Sequence, residues 1–130
     1  MQIPKINDKN LLKQIFTHRS YLNESESEVE SNERLEFLGD SILSFVVSTY
    51  IYKNFPDSKE GDLTSLRSVL TNTDMLYKVA QELDLGKHLL LSRGEEAGGG
   101  RINKSILANT FEAFVGGIFI DQGIEATTKF

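Results

Sequence analysis

Apolar positions along the chain recur at helical spacing almost throughout. Leu11, Leu12, Ile15 and Phe16 mark a first helix over residues 8–17. The stretch 23–30 is polar and acidic and reads as a solvated loop. Asn32 is placed to cap a long helix that runs to about Phe55, where Pro56 stops it. The second half of that helix is apolar nearly all round (Ile42, Leu43, Phe45, Val46, Val47, Tyr50 and Ile51), which predicts burial in the middle of a domain. Gly61-Asp62 opens a further helix through Leu63, Leu66, Val69 and Leu70. Asn72 or Thr73 caps the next, which runs to about Leu83, with Gly86 as its stop signal. Residues 92–101, Ser-Arg-Gly-Glu-Glu-Ala-Gly-Gly-Gly-Arg, read as a flexible loop. The last long helix spans about Asn103 to Gln122, Gly123 ends it, and a short helix begins at Ile124. No strand pattern competes, and neither a repeat nor an interdomain linker interrupts the chain. The expected class is all-α, in one domain covering residues 1–130.

Composition narrows the chemistry more than the fold. The 130 residues suffice for one domain with a real core. Apolar residues at 39% and charged residues at 25% are ordinary for a soluble globular protein. With no cysteine, disulfides, zinc–thiolate sites and cysteine nucleophiles are excluded. His18 and His88 lie far apart in sequence, which disfavours a histidine zinc site. The N-terminus lacks the apolar core of a signal peptide, and no apolar run reaches the ~18 residues of a membrane span. The expected location is cytoplasmic. A net charge of −5 argues mildly against a nucleic-acid partner, which is usually met by a basic surface.

The segment Asn32-Glu33-Arg34-Leu35-Glu36-Phe37-Leu38-Gly39-Asp40-Ser41 sets three carboxylates inside an otherwise apolar pattern. On a helix the spacings i, i+3 and i+7 put Glu33, Glu36 and Asp40 on one face. Three close carboxylates repel one another, so the arrangement calls for a cation. In the helix 103–122, Asn109 and Glu112 share a face by the same rule, among Leu107, Ala108, Phe111 and Ala113. Two such helices can cross and pool Glu36, Asp40, Asn109 and Glu112. Oxygen donors without nitrogen or sulfur suit Mg²⁺ or Mn²⁺. The alternative is structural: Glu33 pairs with Arg34 or Arg67, and Asp40 caps or bridges.

The same decapeptide resembles the signature of the ribonuclease III family. Phe16-Thr17-His18-Arg19-Ser20 is similar to that family's N-terminal motif. Leu66-Arg67-Ser68-Val69-Leu70 with Asn72-Thr73 resembles its middle block. Gly99-Gly100-Arg101, Lys104 to Ala108, Phe111-Glu112-Ala113 and Gly116-Gly117 resemble its last. The blocks stand in the family's order and cover most of the chain. The resemblance implies an all-helical, Mg²⁺-dependent endonuclease domain (with Mn²⁺ able to substitute) that acts as a two-fold homodimer on double-stranded RNA. Such an enzyme leaves 5′-phosphates and short 3′ overhangs. By position Glu36, Asp40 and Glu112 match metal and catalytic residues. Asp40 and Glu112 would hold metal and orient the attacking water. Glu33 matches a further acid near the site and the dimer contact. Arg93, Arg101 and Lys104 flank the glycine loop and are candidates for RNA phosphates, while Arg67 can instead pair with the acidic face. Phe37 and Leu38 are candidates for the dimer contact, with core packing an equal alternative for Phe37.

Two departures qualify the resemblance. Where the family usually has Asp, this chain has Asn109. An amide oxygen can still bind Mg²⁺, but one negative charge is gone. Natural tolerance in an active enzyme, an impaired enzyme that only binds RNA, and an engineered substitution all remain open. Second, the double-stranded-RNA-binding domain that follows the nuclease domain in simple members is absent from these 130 residues. That domain would supply much of the phosphate attraction this acidic chain lacks.

Overall fold

The computed structural model of the protein describes residues 3–23 and 30–129. Residues 24–29, most of the acidic run, lie outside them. Seven α-helices form the described fold: α1 (Lys9–Ile15), α2 (Glu33–Asn54), α3 (Glu60–Thr71), α4 (Thr73–Glu82), α5 (Arg93–Ala97), α6 (Lys104–Gln122) and α7 (Ile124–Lys129). Short 3₁₀ turns at Arg19–Asn23, Leu85–His88 and Gly100–Ile102 join them. Among the described residues the only extended pairing is one isolated bridge, Thr17 with Leu90. The all-α expectation holds.

Helix α6 is the axis of the domain. Ten of its residues, from Leu107 to Ile118, are buried, and Phe114 is fully so. Helices α2 and α4 pack most extensively against it. The burial predicted for the second half of α2 therefore falls to α6 instead. On α2 only Leu35, Gly39, Ile42 and Ile51 are buried. Phe45, Tyr50 and Tyr52 are 60%, 62% and 73% exposed. One face of α2 meets α6 and another meets α3.

The α2–α6 crossing is closer than side chains allow. A Cβ at Gly39 would stand 1.7 Å from the Glu112 carbonyl oxygen, and one at Gly116 would stand 2.4 Å from that of Leu35. Only glycine at both positions lets the two backbones touch. This contact sets the separation of the acidic faces.

Several caps differ in detail from the sequence pattern. Asn32 precedes α2 but makes no side-chain cap bond. Instead it is buried: Nδ2 donates to the Ile15 carbonyl at 3.0 Å, and its backbone N–H donates to Thr17 at 2.9 Å. It thereby ties the start of α2 to the end of α1. Asn72 caps α4 as expected, accepting from the Met75 N–H at 2.9 Å. The left-handed turn after α4 is taken by Asp84 (φ 55°), a residue whose short polar side chain tolerates it, and not by Gly86. Gly86 serves close approach: a Cβ there would meet the Arg101 carbonyl oxygen at 2.6 Å. Gly123 (φ 89°) ends α6 where expected.

The segment 92–101 is built, which corrects its reading as a flexible loop. Ser92 Oγ caps α5 by accepting from the Glu95 N–H at 3.1 Å. Gly100 is buried against Glu95. Arg101 donates through Nη1 to the Gly86 and Leu89 carbonyls at 2.8 and 3.0 Å, and through Nε to Glu96. A three-way guanidinium clamp holds what composition alone presents as loose.

Candidate active site

Glu33, Glu36 and Asp40 follow one another along the first two turns of α2, and Asn109 and Glu112 lie one turn apart on α6. The glycine crossing brings the two faces together in two adjoining pairs. Asp40 and Glu112 stand close enough for their carboxyl groups to share a proton. Glu36 and Asn109 line a cavity of about 330 Å³, together with Glu33, His18, Arg19 and Ser105.

Electrostatics show that this is a strained collection of like charges. Burial, the Asp40 hydrogen bond and the charges of Asp40 and Glu36 push the Glu112 carboxyl up to about 8. At neutral pH, with no cation present, the protonated form of Glu112 is therefore favoured. Burial, then Glu33 and Asp40, raise Glu36 as well. Burial and like charge act in the same direction on both groups. Arg67, one structural partner considered for the acidic face, donates instead to Ser48 Oγ at 3.0 Å. Glu33 accepts from the Ser31 hydroxyl at 3.1 Å.

Such a donor set fits a hard divalent cation: oxygen atoms only, mutually repelling, and served by two rigid helices. Among the described residues, no three His, Cys, Asp or Glu side chains converge closely enough to close around an ion as they stand. Three carboxylates and one amide are in reach of one another as two pairs, with Asn109 in the place of a fourth charge.

The remaining candidates separate. Phe37 is 79% exposed, which removes core packing as its role within one chain. Leu38 is half-buried against the core. Arg93 is exposed in the first turn of α5. Lys104 pairs with Asp74 at 2.6 Å over the Tyr77 ring. The Arg101 guanidinium is engaged in its clamp through Nε and Nη1. Sequence reasoning weighed His18 only as a zinc ligand, and missed that it faces this cavity. Its place within the N-terminal motif was visible, but its backbone bond to Leu90 was not.

The domain is all-helical, and its two central helices cross at glycine and present acidic side chains to each other, as befits a nuclease domain. The ribonuclease-III-like family matches residues 8–130, and the chain belongs to it. It is 48% identical over 124 residues to Ribonuclease 3 of Enterococcus faecalis, covering 95% of this chain and 54% of that protein. It is 45% identical to Ribonuclease 3 of Borreliella afzelii, again over 95% of this chain and 51% of the relative. The chain thus spans about half the length of the curated relatives it matches. The nuclease domain of ribonuclease III from Campylobacter jejuni superposes with a TM-score of 0.89 at 40% identity, covering 96% of this chain and 84% of that one. That structure was described for flexibility in a region involved in dimer formation. Dicer from Pichia stipitis superposes at 0.70 and 30% identity, over 96% of this chain and 51% of its own.

Proposed function

We propose that this chain is the nuclease domain of a double-strand-specific endoribonuclease that hydrolyses RNA phosphodiesters by an activated water. Its products carry 5′-phosphate and 3′-hydroxyl ends with short 3′ overhangs, and it works in the cytoplasm as a two-fold homodimer. The carrying observation is the juxtaposition of Glu36 and Asp40 with Asn109 and Glu112 at the glycine crossing. These four residues would hold Mg²⁺, or Mn²⁺ in its place. When bound, such an ion offsets negative charge at the phosphate and lowers the pKa of a water. Asp40 and Glu112 would also orient the attacking water. Glu36 and Asn109 would hold the ion from the cavity side, with Glu33 in support. No side-chain nucleophile is needed.

Arg93 and Lys104 supply phosphate contacts beyond the site. The dimer reading rests on Phe37, an exposed aromatic beside an apolar groove of about 580 Å³ lined by Leu35, Leu38 and Ile120. A knob and a hollow on one face are what a two-fold contact requires. No helix of the described residues is long and apolar enough to cross a membrane. Relatives named Ribonuclease 3 over 95% of the chain weigh against Asn109 marking an inactive RNA-binding member.

Incubation of the protein with long duplex RNA and Mg²⁺ should give short double-stranded products with 5′-phosphate ends. Single-stranded RNA should survive, and Glu112→Gln should abolish cutting. Binding of the duplex without cleavage, in Mn²⁺ as well as Mg²⁺, would overturn the catalytic assignment.

A further inference from the structure

We infer that His18 is a substrate-binding residue. Its Nε2–H, beside Glu36 and Asn109, donates to a non-bridging oxygen of an RNA backbone phosphate, with Arg19 and Ser105 completing the pocket. This rests on the RNA-cleaving reading of the site.

A hydrogen-bond chain fixes the state of the ring. The Ser92 N–H donates to Ser20 Oγ at 3.0 Å. Ser20 Oγ lies 2.8 Å from His18 Nδ1, and the Ser20 N–H donates to the same nitrogen at 3.1 Å. A nitrogen that accepts a backbone N–H must carry its lone pair outward. The neutral ring therefore holds its proton on Nε2. The backbone is pinned too: the His18 N–H donates to Leu90 at 3.1 Å, and the Leu90 N–H donates to Phe16 at 2.8 Å. The ring is preorganised, so little entropy is lost when it binds.

Nε2 itself takes no partner among the described residues, where no buried side-chain nitrogen or oxygen goes without one. It therefore faces open space, in the ring that lines the cavity.

The cavity lining suits a phosphodiester because it combines acceptors with donors. Glu33 and Glu36 bring carboxylates, where a cation belongs, and His18, Arg19 and Ser105 bring groups that can donate. Two further lining groups are already occupied: Asn32 Nδ2 donates to Ile15 and Thr110 Oγ1 donates to Ile106. The remaining donors, those of His18, Arg19, Ser105 and the Asn109 amide, match an anionic oxygen.

Paired substitutions at His18 separate a ligand contact from a scaffold role. His18→Asn keeps an acceptor at the Nδ1 position for the Ser20 N–H but has nothing at Nε2. His18→Gln places an amide donor near Nε2 and lacks Nδ1. His18→Asn should weaken duplex-RNA binding in EDTA, and raise KM for cleavage in Mg²⁺, by about tenfold, as loss of one charge-assisted hydrogen bond does. Its melting temperature should not move, and His18→Gln should recover most of the loss. Arg19→Ala should lower the slope of log affinity against log salt by about one, while His18→Asn leaves the slope alone. Parent-like affinity and KM in His18→Asn would overturn the inference. So would losses in both variants that track their melting temperatures. If the parent neither binds nor cuts duplex RNA, the underlying reading fails first and this inference with it.

Discussion

Asn109 holds the position where the family pattern carries Asp, and its consequences can be separated by adding or removing the ion. Asn109→Asp adds a charge beside Glu36, Asp40 and Glu112. With Mg²⁺ present, the concentration for half-maximal cleavage should fall about tenfold, since one charge-assisted contact is worth about 1.5–3 kcal/mol. In EDTA the same variant should melt lower, because nothing offsets the added repulsion. If the Mg²⁺ dependence does not move, Asn109 is not a ligand of consequence. Glu112 gives a second handle. Its folded-state pKa of about 8 lies above its ordinary value of 4.5, so the folded chain holds a proton that the unfolded chain releases. Stability from this group is fully present below about pH 4.5 and is lost as pH rises through about 8. In EDTA the melting temperature should therefore decline from pH 5 to pH 8.5, and Glu112→Gln should flatten that decline. At this scale the acids were legible, because spacing on a helix dictates a shared face. His18 was not. Its usable nitrogen is selected by Ser20 and by Ser92, which stands 72 positions further along the chain.

Between elements, the α2–α6 contact carries the most consequence. Gly39 and Gly116 let the two acidic faces approach each other. Gly39→Ala drives a methyl group into the Glu112 backbone, where no flexible side chain can yield. It should cost about 1–3 kcal/mol or more in urea unfolding, the range for overpacking a tight core. It should also abolish cleavage at denaturant levels where the variant is still folded, because the helices must part. Parent-like stability would mean that the crossing is not close-packed. The helices themselves were visible from periodicity, as were Asn72 as a cap and Gly123 as a stop. The order in 92–101 was hidden, because the Arg101 clamp closes on carbonyls at residues 86 and 89 and a glycine-rich composition says nothing of them.

Across the whole molecule, the apolar residues outnumber the places one chain has to bury them. Phe37, Phe45, Tyr50 and Tyr52 all stand out from α2 into solvent. Large exposed aromatics on one helix are unusual for a lone domain and suit an interface. Light scattering should show a dimer for the parent and a monomer for Phe37→Ala. The helical circular dichroism should be unchanged, because Phe37 packs little against its own chain. A dimeric Phe37→Ala would move the contact elsewhere. The net charge of −5 sits uneasily with an RNA substrate. The cavity eases part of that conflict by setting donors from His18, Arg19 and Ser105 beside the acids, so local charge matters more than the total. What the amino-acid order determined alone was the helical class, the boundaries of the long helices, and which acids share a face, all consequences of a 3.6-residue period. The tertiary structure decided which helix is central, how closely the acidic faces approach, which basic groups are already spent and which histidine nitrogen faces the site. Each of those depends on contacts between residues far apart in the chain, and no local periodicity encodes them.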